Sequence, residues 1–289
     1  METSELLKKV RQIEIKTKGL SRNVFAGQYH SAFKGRGMSF SEVREYEFGD
    51  DIRDIDWNVT ARYSKPYIKI YEEERELTVM LLVDISGSRN FGSHTMFKRD
   101  MITEIASTLA FSAIQNNDKT GVIFFTDKIE KFIPPQKGKS HILYIIRELL
   151  NFEPSQTQTD ITQALRYLTN AIKKRCTAFI FSDYIDKGDY RHALTIANRK
   201  HDIVAVQVYD RSETTIPNIG LMKVRDPETG RETYIDTSSR TVRESYGQWW
   251  KNRQQEMSSN FKRSHVDSIS IRTDEDYVKA LMMLFHKRS

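Results

Sequence analysis

From residue 77 onward, short apolar runs alternate with segments of helical spacing. The runs cover residues 77–85, 121–126, 177–182 and 202–209, and helices are expected over 97–117, 139–151, 160–174 and 188–199. Nearly continuous apolar runs are typical of strands buried on both faces of a parallel sheet. Alternation with helices indicates right-handed crossovers between parallel strands. The sequence therefore predicts an α/β fold, a doubly wound and mostly parallel sheet flanked by helices.

Outside this alternation, the sequence predicts an extension and an insertion. We expect residues 1–76 to form an N-terminal extension that packs on the main domain, residues 77–289. Near residues 214–265, a hairpin and a long helix are expected to interrupt that domain. The remaining predicted elements are a helix over 1–19, extended chain over 67–76, a strand over 128–135 ended by two prolines, the hairpin over 221–236, the long helix over 240–263, a strand over 267–273 and a helix over 276–288.

Hydropathy and cysteine usage indicate a compartment. No run of about 18 apolar residues is present, so no membrane-spanning helix is predicted. The N-terminal segment lacks the apolar region of a secretory signal. Cys176 is the only cysteine, which excludes a disulfide within the chain and agrees with a reducing environment. We expect a cytoplasmic protein.

Charge is distributed unevenly along the chain. The formal net charge is +6, which raises the question of nucleic-acid binding. Residues 41–56, however, carry seven acids against two arginines, whereas residues 240–265 carry six bases against two glutamates. Segments of opposite charge indicate docking between segments or to a protein partner. We therefore interpret the basic segment as an ordinary solvated helix and do not expect a nucleic acid as partner.

Oxygen-bearing side chains follow the predicted strands where these end. Asp84, Ser86 and Ser88 end the first apolar run, Asp183 follows another, and Thr159 precedes a predicted helix. Ligands of open α/β sheets bind at the carboxyl ends of the strands. A hard divalent cation such as Mg²⁺ takes oxygen ligands and retains several waters. The sequence therefore predicts a metal site with a coordination position open to a carboxylate.

The DxSxS, Thr and Asp series resembles the metal-ion-dependent adhesion site of von Willebrand factor A domains. Residues 27–62 and the C-terminal part are also similar to the bacterial family called domain of unknown function 58. The matching pieces are Gly35-x-Gly37, Phe40, Arg44, Tyr46, Gly49, Asp50, Asp51, Arg53, Ile55, Asp56, Trp57 and Arg62, followed by Pro217, Gly220 and residues 226–230 and 273–288. Together these pieces span most of the chain.

These resemblances imply a von Willebrand factor A-like fold and a non-enzymatic protein-interaction module. The implied cofactor is Mg²⁺ or Mn²⁺, bound by the five residues of the series. The implied partner is a MoxR-type AAA+ ATPase, with which the chain would assemble or remodel a client protein that supplies a carboxylate. The chain departs from the family pattern at Arg89, where a methionine often follows the series, and at Gln158, where glycines usually precede the threonine.

The acidic N-terminal segment leaves an alternative open. Asp50, Asp51 and Asp56 could form the site of a metal-dependent hydrolase or nuclease. The same acids could instead pair with arginines and fix the extension on the main domain. Trp57, beside Asp56, is expected to be buried because its indole has a large apolar area.

Overall fold

The computed structural model describes residues 3–20, 39–63, 65–72, 77–92, 96–186 and 188–288. The chain divides into two compact units, a larger one of residues 1–33 and 77–289 and a smaller one of residues 34–76. The Gly35-x-Gly37 motif, and residues 73–76 of the expected extended segment, lie outside the described residues. Beyond the position of the first helix, the packing of the extension on the main domain stays a prediction.

The elements follow the predicted order. In chain order the strands are β1 (Ser39–Glu45), β2 (Tyr67–Glu72), β3 (Thr78–Asp84), β4 (Lys119–Phe125), β5 (Ile129–Gln136), β6 (Thr177–Ser182), β7 (Asp202–Tyr209), β8 (Leu221–Arg225), β9 (Glu232–Asp236) and β10 (Asp267–Arg272). The α-helices are α1 (Thr3–Leu20), α2 (Trp57–Tyr63), α3 (Lys98–Gln115), α4 (Lys139–Asn151), α5 (Ile161–Ala171), α6 (Arg191–Lys200), α7 (Arg240–Arg263) and α8 (Tyr277–Arg288). None of these described helices combines the length and apolar character needed to cross a bilayer.

Within the described residues, the central sheet has the strand order β5-β4-β3-β6-β7-β10. Every neighbouring pair is parallel except β4 and β5. Counted along the chain within this sheet, the order is 3-2-1-4-5-6, so the direction of winding reverses between β3 and β6. This arrangement confirms the predicted doubly wound, mostly parallel α/β fold.

The sheet is covered on both faces, as the continuous apolar runs predict. Side chains alternate between the two faces of a strand, and in β3 they divide between two core clusters. Val79, Leu81 and Val83 belong to one cluster, together with residues of α1, α3, α4 and α8. Met80 and Leu82 belong to the other, with residues of α5, α6 and α7. Burial on both faces holds the carboxyl edge of β3 in a fixed position.

β5 agrees with the predicted strand to within one residue at each end and ends one residue after its two prolines. Pro134 and Pro135 lie inside the strand, which continues to Gln136. β5 is an edge strand and pairs only with β4 among the described strands. Proline is tolerated on an edge strand because its missing N–H can face away from the sheet.

The predicted insertion is present as a hairpin and a long helix. β8 and β9 pair antiparallel, and α7 spans the predicted residues 240–263. Trp250 is 8% exposed and its ring lies 5.7 Å from that of Tyr209. Trp249 is 42% exposed. Of these two neighbouring tryptophans, Trp250 is the one that anchors α7 to the sheet.

α1 is part of the larger unit. It contacts α3 and α4, and its Val10 is buried in the core cluster on that face of the sheet. Glu14 forms an ion pair with Lys139 of α4, with 2.6 Å between Oε1 and Nζ. The first helix of the expected extension therefore contributes to the main core.

The smaller unit contains charged pairs of its own. β1 and β2 pair antiparallel, and Arg44 donates two hydrogen bonds to Asp50, at 2.9 and 2.8 Å. Arg53 binds Asp51 at 2.7 Å. The predicted Asp–Arg pairs exist, but these two join residues within the unit rather than fixing it to the main domain. The reason is local: each arginine lies two to six residues from its acid.

The prediction that Trp57 is buried is wrong. Its side chain is 68% exposed, and α2, which it begins, buries none of its residues. Asp56 caps this helix by accepting hydrogen bonds from the N–H groups of Asn58 and Val59, at 2.9 and 3.2 Å. A seven-residue helix on a two-stranded sheet offers the indole no core in which to pack.

Candidate metal centre

The predicted site lies where the strand order of the sheet reverses. β3 and β6 are parallel neighbours, with Val83 opposite Phe181. Asp84 is the last residue of β3, and Asp183 directly follows β6. Both carboxylates therefore lie at the carboxyl edge, at the switch point where open α/β sheets bind their ligands.

The fold brings the five predicted residues together. The Thr159 hydroxyl lies 3.5 Å from Asp84 Oδ2, and the hydroxyl oxygens of Ser86 and Ser88 are 3.3 Å apart. The Ser88 hydroxyl also contributes a hydrogen bond that lowers the pKa of Asp183. The convergence is structural, and the role of these residues as metal ligands stays a prediction.

Asp84 is a buried carboxylate without a contacting cation among the described residues. It is 4% exposed. Oδ2 accepts a hydrogen bond from the Ser182 hydroxyl at 2.6 Å, and Oδ1 accepts one from the Ser86 N–H at 2.9 Å. Burial, and secondly the nearby charge of Asp183, raise the pKa of Asp84 from 3.8 to about 6. Ionisation of Asp84 is therefore disfavoured until a cation reaches it.

The carboxylate of Asp183, in contrast, is paired with a lysine of the same chain. Lys98 Nζ lies 2.9 Å from Asp183 Oδ2, and both side chains are buried. The Ile185 N–H donates to Oδ1 at 3.1 Å. Burial acts to raise the pKa of Asp183, but the Lys98 ammonium outweighs it and holds the pKa below its usual value. The two carboxylates of the site thus have opposite pKa shifts.

The hairpin turn lies directly against the DxSxS segment. A Cβ placed on Gly87 would lie 2.1 Å from the carbonyl oxygen of Pro227, so only glycine fits there. The Gly87 N–H donates to the Thr157 carbonyl at 3.0 Å. The Thr157 hydroxyl in turn donates to the Glu228 carbonyl at 2.5 Å. The loop before α5 and the turn of the insertion therefore fix the position of the serines.

Arg89, which departs from the family pattern, is buried directly after the DxSxS segment. It is 4% exposed, and its Nη2 donates to the Phe152 carbonyl at 2.8 Å. Nε and Nη1 have no hydrogen-bond acceptor in the part of the chain that the structure describes. Burial, then the charge of Arg99, lower the pKa of Arg89 to about 10.

Sequence reasoning missed three residues of the site: Lys98, Ser182 and Glu213. In the sequence Ser182 is only the last residue of a predicted strand, whereas in the structure its hydroxyl donates to Asp84. Lys98 is the first residue of α3, where a cation opposes the helix dipole. That unfavourable placement is the one signal in the sequence that a nearby carboxylate was needed. Glu213 carries no comparable signal.

The donor set fits a hard divalent cation. Two carboxylates and three hydroxyls are all oxygen donors, which suit Mg²⁺ or Mn²⁺. Within the described ranges, no group of three or more His, Cys, Asp or Glu side chains is arranged to hold a metal. An ion at this site would therefore depend on the hydroxyls of Ser86, Ser88 and Thr159 in addition to the two carboxylates.

The acids of the alternative hydrolase site do not converge in this way. Asp50 is paired with Arg44 and Asp51 with Arg53. Asp56 caps α2 and lies 3.6 Å from Lys69 Nζ. Each carboxylate already has a basic partner within the smaller unit, and no observation favours a hydrolase or nuclease.

Comparison with known proteins identifies the family. A model of the family described as "Protein of unknown function DUF58" matches residues 42–256, a range that includes all five site residues. The chain belongs to the DUF58 family. This membership confirms the resemblance drawn from the sequence.

A similar relative of this DUF58 protein is the uncharacterized protein Rv1480 of Mycobacterium tuberculosis. It is 25% identical over 283 residues, which cover 96% of this chain and 88% of the relative. Among solved structures, BatB from Bacteroides thetaiotaomicron matches with a TM-score of 0.49 and 17% identity, over 73% of this chain and 98% of its own. The SpRpn10 VWA domain matches with a TM-score of 0.40 and 10% identity, over 74% and 95%.

Proposed function

We propose that this DUF58 protein is a non-enzymatic, metal-dependent protein-interaction module. Asp84, Ser86, Ser88, Thr159 and Asp183 would hold Mg²⁺ or Mn²⁺ at the carboxyl edge of the sheet. The observation that carries the proposal is the convergence of two buried carboxylates and three hydroxyls at the switch point between β3 and β6. A bound ion would supply an electrophilic position for a carboxylate of a partner protein.

The residues of the chain prepare that position. Ser182 and the Ser86 N–H hold Asp84 from two sides, so its carboxylate is oriented before an ion arrives. The turn at Pro227 and the loop at Thr157 fix the DxSxS segment. Preorganised oxygen ligands lose little conformational entropy when they bind, which favours binding of the ion. No proton transfer or bond cleavage is required of any of these groups.

The partner we propose is a MoxR-type AAA+ ATPase in the cytoplasm, together with a client protein. This part rests on the family resemblance. In that arrangement the carboxylate of the ATPase or client would complete the shell of the ion. The protein would thus act as an adaptor in assembling or remodelling the client.

Thermal unfolding of the full chain in Mg²⁺, Mn²⁺ or EDTA tests metal binding. Ligands that bind only the folded state stabilise it, by about 2.7 kcal/mol at a free concentration about 100-fold above Kd. We expect the melting temperature to rise with metal in the wild type and not in Asp84→Ala. An absent shift, or an equal shift in the variant, would contradict the site.

Co-purification with the co-expressed ATPase tests the partner. We expect binding by wild type and by the control Ser268→Ala, whose serine is exposed on β10. Binding should be lost in the double variant Ser86→Ala, Ser88→Ala and in EDTA. Equal binding under all these conditions would show that the metal site takes no part in recognition.

A further inference from the structure

The side chain of Lys98 connects the candidate site to the segment after β7. Its ammonium is buried, with only 2% of the side chain exposed, and lies 2.9 Å from Asp183 and 2.6 Å from Glu213. A lysine is almost never fully buried unless it is paired. Here both partners are carboxylates, and one of them is a predicted metal ligand.

Glu213 is held in place to receive the ammonium. Its Oε2 accepts a hydrogen bond from the Asp210 N–H at 2.8 Å, which leaves Oε1 for Lys98. Asp210 and Glu213 form a capping box on the short 3-10 turn. The Tyr246 hydroxyl of α7 donates to the Glu213 carbonyl at 2.9 Å. The position of the ammonium is therefore set by a rigid support, not by a mobile surface chain.

An ion held by Asp183 would have this ammonium as its neighbour. Two cations on one buried carboxylate repel, and the repulsion is only weakly screened by solvent or salt. Each cation also neutralises part of the charge of the Asp183 carboxylate and so weakens the attraction of that carboxylate for the other cation. The position of Lys98 therefore bears directly on how tightly the site holds a divalent ion.

We propose that Lys98 is an internal cation that competes with the divalent ion for Asp183 and so limits the metal affinity of the site. The inference rests on the proposed metal-binding function and adds a residue that sets its strength. Glu213 favours metal binding because its negative charge offsets part of the ammonium charge beside Asp183. The site is thereby kept from binding metal as tightly as its oxygen ligands would allow.

Titration of the full chain with Mn²⁺ at pH 7.5, with free Mn²⁺ read by electron paramagnetic resonance, tests this competition. Lys98→Met removes the competing charge, and we expect binding at least about tenfold tighter than wild type, equivalent to about 1.4 kcal/mol. Glu213→Gln leaves Asp183 as the only carboxylate of Lys98, and we expect binding weaker by about threefold or more. Lys131→Met is the matched control, because Lys131 pairs with Glu148 away from the site. We expect it to bind within about twofold of wild type.

Each outcome separates this inference from the proposed function. If wild type binds Mn²⁺ and Lys98→Met binds no tighter, the competition is wrong while the metal site stands. If only Lys98→Met binds, the competition is right, and the wild-type protein does not work through a metal. If neither binds, both fail. Should Lys98→Met not fold, the double variant Lys98→Met, Glu213→Gln removes one charge of each sign and is judged by the same comparison with wild type.

Discussion

Asp84 opposes folding when it is ionised, and Asp84→Asn should therefore stabilise the metal-free protein. The asparagine has nearly the same shape and retains an oxygen for the Ser86 N–H. Unlike the ionised carboxylate, it places no charge at residue 84, which is only 4% exposed. The change removes the negative charge of a proposed metal ligand, so stability and metal binding are expected to move in opposite directions.

The magnitude follows from the pKa. Asp84 has a pKa of about 6 in the folded chain against 3.8 ordinarily, a difference that corresponds to about 3 kcal/mol. Because the folded pKa is raised, the stability contributed by protonated Asp84 is fully present below pH 3.8 and is lost as the pH rises through about 6. Above that pH the wild type carries the full penalty. Asparagine must also place an NH₂ group, so we expect a net gain of about 2 kcal/mol, or about 4–8 °C in Tm.

The assay is unfolding in EDTA at pH 7.5 and at pH 4.5. Asp84→Asn should be more stable than wild type at the higher pH, and its advantage should shrink at the lower pH. Asp183→Asn is the matched control of opposite sign, because Lys98 lowers the pKa of Asp183. Its folded pKa is depressed, so its contribution is present above pH 3.8 and is lost as the pH falls through the folded value. Asp183→Asn should therefore be destabilised at pH 7.5, by about 1–3 kcal/mol, because Lys98 loses one of its two carboxylates. An Asp84→Asn variant that is less stable than wild type at pH 7.5, or whose gain does not depend on pH, would refute the reasoning.

Two further perturbations test the packing around the site. Gly87→Ala should lower stability by about 1–3 kcal/mol and abolish metal-induced stabilisation, because its Cβ would meet the Pro227 carbonyl. At Gly247 in α7, an added Cβ would meet no atom within 4 Å outside the helix's own backbone, so Gly247→Ala should instead stabilise by about 0.5–1 kcal/mol. Equal effects of the two substitutions in thermal melts would contradict the close approach. Trp250→Ala should cost about 3–5 kcal/mol, whereas Trp249→Ala should cost about 1 kcal/mol or less. Urea unfolding that ranks the two tryptophans the other way would show that α7 is anchored differently.

The fold was predictable because the strands of the main sheet are buried on both faces. Burial on two faces requires apolar residues at consecutive positions, and this pattern gives β6 and β7 their observed ends. The site residues were predictable for a related reason. When neighbouring strands are parallel, the residues that follow them lie at the same edge of the sheet, so Asp84 and Asp183 are brought together although they are 99 positions apart in the sequence.

Features that depend on contacts between distant side chains were not predictable. Lys98 contacts acids 85 and 115 residues further along the chain, and no local pattern specifies those partners. The prediction that Trp57 is buried was wrong for a different reason. Its apolar area predicts burial, but a side chain is buried only where the surrounding structure supplies a core, and a seven-residue helix with no buried residue does not.

Two connections lead from the candidate site to the same insertion, residues 214–265. Gly87 in the DxSxS segment lies against Pro227 of the hairpin turn with no room for a methyl group. On the other side, the Glu213 side chain accepts a hydrogen bond from Lys98, and the Glu213 carbonyl accepts one from the Tyr246 hydroxyl of α7. A shift of the serines or of Lys98 therefore has to be accommodated by the hairpin or by α7, because close-packed interiors do not deform continuously. A ligand at the site can bias the insertion only by the difference between its affinities for two arrangements. Any such difference would reach the insertion through the contact of Gly87 with Pro227 and through the support that Tyr246 gives to Glu213.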